Sequence, residues 1–99
     1  MKVRICVSRG DLDHGKRADC QQCPIARAIL RQLKPGYAVE VHSDFVRIFK
    51  DPNNTLVRTD LPVKACDFIQ AFDTKVSPRP AFRPFWFTMS IPMIYLKGL

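Results

Sequence analysis

The chain has 99 residues and a mass of 11.4 kDa, which is the size of one domain and excludes a multidomain enzyme. Hydrophobic residues make up 46% and charged residues 25%, as in ordinary globular proteins, which excludes a disordered, collagen-like or coiled-coil chain. The net charge is +7, because 16 Lys and Arg oppose 9 Asp and Glu, and it favours anionic partners.

The first third of the chain predicts a strand, a loop and a helix. Residues 2–9 alternate between apolar and polar side chains, which is the period of a half-buried strand. Residues 10–19 are rich in glycine and charge, and they predict a loop with at most one irregular helical turn. Because proline is favoured at the first helical position, a helix is predicted from Pro24 to about Leu33.

The middle of the chain predicts an antiparallel meander and a second helix. Short turn sequences separate three candidate strands at 37–42, 45–49 and 55–59. Asp60 is placed as the N-cap of a helix ending near Asp73, because the intervening apolar residues recur at i, i+3, i+4 and i+7.

The end of the chain predicts a connector, a strand and a tail. Residues 74–84 hold three prolines and two arginines, which predict an extended connector; a strand follows from Phe85 to Ile91, and then an apolar tail at 92–99. The longest uncharged apolar stretch, 84–96, is shorter than the roughly 20 residues that span a bilayer, so no membrane contact is expected. No apolar signal segment follows Met1, which predicts a cytoplasmic protein.

These elements predict a single α+β domain over residues 1–99. The order β-α-β-β-β-α-β is typical of a two-layer domain in which two helices cover one face of a mostly antiparallel sheet.

Charge is segregated along the chain. Residues 1–34 hold 8 basic and 3 acidic side chains, residues 35–73 hold 4 and 6, and residues 74–99 hold 4 and none. If the two ends lie side by side, they form one basic face that concentrates an anionic partner. An evenly solvated basic surface is the alternative.

A candidate anion site surrounds the start of the first helix. Lys16 and Arg17 lie in a glycine-bearing loop, and Arg27 and Arg31 follow one and two turns into the helix. Cations near free helical N–H groups are suited to a phosphate. The alternative is that the loop cations are solvated and the helical arginines pair with Asp13 or Asp19.

A second candidate site lies in the C-terminal segment, where Arg79 and Arg83 are interleaved with aromatic residues. Phe85 and Phe87 share the predicted core face, which leaves Trp86, Tyr95 and the arginines for recognition. Such a set can stack a nucleobase and hold a sugar-phosphate chain.

Cys20 and Cys23 form a Cys-x-x-Cys motif at the predicted helix start, and three interpretations stay open. A helix start favours a reactive thiolate, although a charged loop separates the motif from the preceding strand. Structural zinc would need two further ligands from cysteines and histidines scattered along the sequence. The preferred interpretation makes both cysteines small buried hydrophobes, so no cofactor is expected.

No catalytic signature is present in the sequence. The chain has no P-loop, no Gly-x-Gly-x-x-Gly and no Gly-x-Ser-x-Gly. A zinc deaminase is excluded because it needs His-x-Glu upstream of its cysteines, and Glu40 is the only glutamate. A non-enzymatic protein is therefore predicted.

A set of short motifs resembles small uncharacterised proteins encoded by bacteriophages and prophages: Gly15-x-x-x-Asp19-Cys20-x-x-Cys23-Pro24-Ile25-Ala26-x-Ala28-Ile29, then Asp67-Phe68-Ile69 with Phe72-Asp73, and then Pro84-Phe85-x-Phe87. The resemblance covers most of the chain and implies a genetic setting rather than an activity. In that setting, small accessory proteins bind and inhibit host factors, and defence systems are frequent targets.

Together these observations predict a phage-type accessory protein that binds an anionic ligand or a host protein through its basic surface. An anti-defence inhibitor, of the anti-CRISPR or nucleotide-sequestering type, would fit; a small structural-zinc or redox protein is the alternative. A homodimer through the C-terminal segment is predicted, because Trp86, Tyr95 and the tail add apolar surface. The alternative is a monomer whose tail folds back on its own sheet.

Overall fold

The structure, a computed structural model, describes residues 1–74 and 78–98 and confirms the α+β class. The predicted strands and the two predicted helices occur in the predicted order, joined by one further helix and two 3-10 turns, at Arg79–Ala81 and Met93–Tyr95. In chain order the elements are β1 (Lys2–Val7), α1 (Arg9–His14), α2 (Pro24–Leu30), β2 (Ala38–Val41), β3 (Phe45–Asp51), β4 (Asn54–Asp60), α3 (Val63–Asp73) and β5 (Phe85–Ser90). Within the described ranges, no helix has the length and apolar character needed to cross a membrane.

The five strands form two antiparallel sheets. Strands β2, β3 and β4 form the predicted meander, and β1 pairs with β5 in a two-stranded sheet that we call the terminal ribbon. The ribbon therefore joins the two ends of the chain, since β1 is the first strand and β5 the last.

Helix α1 occupies part of the segment that was predicted as a loop with at most one irregular turn. The Ser8 hydroxyl accepts a hydrogen bond from the Asp11 amide at 3.2 Å, and the Asp11 carboxylate accepts one from the Ser8 amide at 3.0 Å. This reciprocal capping box satisfies two donors at the start of the helix. Apolar periodicity missed the helix because its six residues include only one large apolar side chain, Leu12.

Three further boundaries differ from the sequence prediction. Helix α2 begins at Pro24 as predicted but ends at Leu30, three residues early. Asp60 is the last residue of β4 and pairs with Phe45, so it is not the N-cap of α3, a position that Pro62 takes. Within the predicted connector, residues 79–81 form a 3-10 turn rather than extended chain, and residues 75–77 lie outside the described residues.

The core lies where α2 packs against β1 and β2. Helix α2 supplies Ile25, Ala26, Ala28 and Ile29, all buried, and the inward faces of both sheets close around them. The buried side chains from the sheets and from the segment after β5 include Ile5, Val7, Val39, Val46, Ile48, Phe87, Met89 and Ile91. Because both sheets contribute, the terminal ribbon is fixed to the rest of the domain through its inner face.

The C-terminal tail folds back against its own chain as far as the structure describes it. The Ile91 amide donates to the Met1 carbonyl at 3.0 Å, and Leu96 is buried and bridges to Leu33. Met93 and Ile94, between these anchors, are 57% and 65% exposed.

Candidate functional site

The terminal ribbon places the two basic ends of the chain side by side. Across its outer face, Lys2 lies opposite Ser90, Arg4 opposite Thr88 and Cys6 opposite Trp86, and all six side chains are exposed. Neither strand contains an aspartate or glutamate. The two ends of the chain therefore lie side by side as the prediction required, but the cations of this face come from β1, because β5 contains no Lys or Arg.

Trp86 is the one large aromatic side chain on this face, and it is 48% exposed. The guanidinium carbon of Arg4, diagonally across the ribbon, lies 4.3 Å from the centroid of the Trp86 ring. From the start of α3, the Lys64 ammonium lies 5.1 Å from the same centroid and donates to the Trp86 carbonyl at 2.7 Å. Two cations thus lie around one half-exposed indole.

The predicted cations Arg27 and Arg31 lie next to the ribbon and share one carboxylate. Asp11 is 1% exposed; its Oδ1 lies 3.4 Å from Arg27 Nε and forms a hydrogen-bonded ion pair with Arg31 Nη2. Arg31 Nη1 also donates to the Cys6 carbonyl of β1 at 3.4 Å. The partner of both arginines is Asp11 and not the predicted Asp13 or Asp19, because helix α1 buries the Asp11 carboxylate beside α2.

The shared carboxylate is ionised at neutral pH. Burial by itself raises the pKa of Asp11, but hydrogen bonds from Arg31 and Ser8 and the charge of Arg31 outweigh it, so the pKa lies below its ordinary value. Two guanidinium groups around one carboxylate leave a net positive charge. Both arginine side chains are close to half-exposed and line an open depression of about 290 Å³.

The predicted phosphate site at the start of α2 lacks the free N–H groups it was expected to use. Pro24 has no amide proton, Cys23 Sγ accepts a hydrogen bond from the Ala26 amide at 3.4 Å, and the Lys16 amide donates to the Gln22 carbonyl at 2.8 Å. The Lys16 side chain is exposed. Because these backbone N–H groups already donate within the chain, the contacts do not favour a phosphate site there. Anion binding by the Lys16 side chain stays a prediction.

Arg17 is directed to a different element from Arg27 and Arg31. Its Nη1 donates to the Phe72 carbonyl at 2.8 Å, and its guanidinium carbon lies 4.5 Å from the Phe72 ring centroid, at the end of α3. The four predicted cations therefore lie in three places. Arg17 lies at the end of α3, Arg27 and Arg31 lie beside Asp11, and Lys16 lies in an exposed loop.

Arg79 is also directed away from Trp86. Arg79 Nη1 donates to the carbonyls of Leu12 at 2.9 Å and Gly15 at 2.6 Å, so it fastens the segment before β5 to the end of α1. Arg83 is exposed and precedes β5. Of this predicted set, Trp86 alone lies within the ribbon.

Cys20 and Cys23 have the properties of protonated thiols. Burial raises the pKa of Cys23 to about 11, and burial together with the charges of Glu40 and Asp19 raises the pKa of Cys20. Among the described residues, no group of three His, Cys, Asp or Glu side chains is placed to hold a metal ion. The geometry favours the packing interpretation for Cys23, which is buried and caps α2, whereas Cys20 is only partly buried.

A cavity of about 200 Å³ beside Cys20 is lined partly by His42. The His42 ring stacks on Phe45 with centroids 4.5 Å apart, and its Nε2 lies 3.3 Å from a Glu40 carboxylate oxygen. These contacts hold the His42 imidazole against residues of β2 and β3.

Sequence reasoning missed Arg4 and Lys64. Arg4 was recognisable only as a member of the polar face of β1, and its place beside Trp86 depends on the pairing of the two chain ends. Lys64 carries no local signal at all, because the start of α3 reaches Trp86 only through the folding of the whole chain.

No family model, curated protein or solved structure matches this chain.

Proposed function

We propose that the protein is a small non-enzymatic binder of an anionic partner, and that the outer face of the terminal ribbon is its binding surface. The observation that carries the proposal is the pairing of β1 with β5, which brings Lys2 and Arg4 onto one exposed face with Trp86. Lys2 and Arg4 come from one end of the chain, Trp86 from the other, and Lys64 joins them from α3.

Charge complementarity supports an anionic partner. A face without aspartate or glutamate in either strand creates a positive potential that speeds encounter with polyanions. Arg31, hydrogen-bonded to the Cys6 carbonyl, extends this potential from the ribbon onto α2. The surface thus combines exposed cations with a backbone held by strand pairing.

We propose further that this binder acts as an accessory or anti-defence inhibitor in the bacterial cytoplasm, a role that the resemblance of its motifs to phage-encoded proteins supports. The partner in that setting is a nucleic acid, a nucleotide or an acidic surface of a host protein.

The first test measures binding of inorganic polyphosphate by calorimetry over a series of salt concentrations. Affinity is expected to fall steeply as salt rises, because each ionic contact releases counterions. In the double variant Arg4→Ala/Lys64→Ala, the logarithmic salt slope is expected to shrink by about 0.7–0.9 per lost phosphate contact.

The matched control is Lys50→Ala/Arg58→Ala. It also removes two cations that lie over aromatic rings, those of Tyr37 and Phe45, but on the three-stranded sheet. Equal losses in both double variants, or binding that does not change with salt, would refute the ribbon as the binding surface.

We also propose that the protein forms a homodimer through the exposed part of its tail. Met93 and Ile94 are the support, since Leu96 is buried within the chain. Light scattering at micromolar concentration is expected to give a dimer for the native chain and for Val63→Ser, which alters an exposed apolar residue elsewhere. It is expected to give a monomer for Met93→Ser/Ile94→Ser, and a monomeric native chain would contradict the proposal.

A further inference from the structure

Resting on the proposed anion-binding function, we infer that the ligand of the terminal ribbon is a single-stranded nucleic acid, one of whose unpaired bases stacks on Trp86. Attraction of anions in general does not determine the chemical class of the partner, whereas stacking on an indole does.

The surroundings of Trp86 leave its indole accessible to a flat ligand. Its cross-strand partner is Cys6, and the next outward position on its own strand is Thr88, so no bulky neutral side chain on the ribbon covers it. The indole is 48% exposed although the inward-facing neighbour Phe87 is buried. An exposed aromatic on a backbone fixed by two-strand pairing is a preformed stacking platform.

The Arg4 guanidinium beside the indole is exchangeable. Cation–π attraction at an exposed site contributes about 2- to 5-fold to an equilibrium constant, whereas stacking of a base on an aromatic side chain contributes about 5- to 150-fold. A base can therefore displace the Arg4 guanidinium from the ring, while Lys64 keeps its hydrogen bond to the Trp86 carbonyl. The displaced cation remains within a side-chain length of the ring and can pair with the phosphates that flank the base.

This geometry discriminates among anions. A duplex presents phosphates but keeps its bases stacked on one another, and an acidic protein surface presents carboxylates without a flat base. Both would gain affinity only from the charges of the ribbon. A single strand gains affinity from the charges and from stacking on the indole.

The first experiment uses the intrinsic fluorescence of Trp86, which is the only tryptophan in the chain. An oligothymidylate of about twelve nucleotides, within the range of sites bound by single-strand-binding folds, is expected to quench this fluorescence strongly on titration. Inorganic polyphosphate and a duplex of equal charge are the controls and are expected to quench it much less.

The second experiment follows a labelled oligothymidylate by fluorescence anisotropy. Trp86→Ala is expected to weaken binding by about 5- to 150-fold, and Trp86→Phe is expected to recover most of the loss because it restores a stacking ring. Since the indole is half-exposed, both variants are expected to fold, which circular dichroism checks.

The third experiment is a thiol footprint. Cys6, exposed and directly opposite Trp86, is expected to react more slowly with iodoacetamide when oligothymidylate is bound. Cys66, which lies on α3 with its thiol hydrogen-bonded to the Leu61 carbonyl, is the internal control and is expected to react at an unchanged rate.

The possible failures are distinguishable. If polyphosphate binds but oligothymidylate binds no tighter and Trp86→Ala changes nothing, the stacking inference is refuted while the basic binding surface stands. If none of the three anions binds, the proposed function fails as well. Selective binding of an acidic peptide with no response of Trp86 would assign the surface to a protein partner and overturn the inference.

Discussion

Replacing Asp11 by alanine is expected to lower the free energy of unfolding by about 2–4 kcal/mol, through loss of an N-terminal cap and of charge-assisted hydrogen bonds. The substitution leaves Arg27 and Arg31 without the carboxylate that holds them together. It also breaks the capping box with Ser8 that begins α1. Urea unfolding followed by circular dichroism measures the change.

Asp13→Ala is the matched control for this substitution. Asp13 lies in the same helix and pairs with Arg9 at 3.1 Å, but both side chains are about half-exposed. Such surface pairs contribute about 0.2–1 kcal/mol, so a small change is expected. Equal destabilisation by the two variants would contradict the structural role assigned to Asp11.

Lowering the pH is expected to remove the stabilisation that the Asp11 carboxylate provides. The pKa of Asp11 is lower in the folded chain than its ordinary value of 3.8, so its contribution is complete above that value and is lost as the pH falls through the folded pKa. The stability difference between the native chain and Asp11→Asn is therefore expected to narrow in acid. Glu40, whose pKa is also lowered, chiefly by its hydrogen bond from Arg47, adds to acid sensitivity in both proteins.

Gly15→Ala is expected to destabilise the fold by about 1–3 kcal/mol or more, as overpacking of a filled space does. A Cβ at this position would lie 2.6 Å from both the Asp11 carbonyl oxygen and the Pro24 nitrogen. Because both are backbone atoms, the end of α1 and the start of α2 would have to move apart. Thermal and urea unfolding measure the effect.

Gly10→Ala is the control for the glycine substitution. Its Cβ would lie no closer than 3.7 Å, to the Ser8 hydroxyl, and alanine in a helix is favoured over glycine by about 0.5–1 kcal/mol. A small gain in stability is expected. A Gly15→Ala protein as stable as the native chain would show that the junction of α1 and α2 is not tightly packed.

Local patterns in the sequence predicted the strands and the helices α2 and α3, because each pattern depends only on neighbouring residues. Alternation in β1 and β5 and the position of Pro24 each depend on neighbouring residues, and the structure confirms them. Helix α1 was missed because its signal is the polar pair of Ser8 and Asp11 rather than apolar periodicity.

The candidate site was less predictable because it depends on contacts between distant segments. The sequence indicated Arg27, Arg31 and Trp86 as separate features, yet it could not show that Asp11 joins the two arginines. Nor could it show that Arg17 turns to the end of α3. The terminal ribbon forms because β1 pairs with β5. Pairing between strands that are far apart in the chain produces no periodic pattern in the sequence, so it could not be predicted.

The pairing of the first strand with the last also determines when the fold can be completed during synthesis. Strand β1 leaves the ribosome first, but its hydrogen-bonding partner is translated only after three other strands and all three helices. Until then Ile5 and Val7 lack the partner strand beside which they are buried, and closing so long a loop is entropically unfavourable. A chain interrupted before Phe85 therefore exposes apolar residues of β1 to chaperones and proteases, and these residues are covered only after β5 has been synthesised.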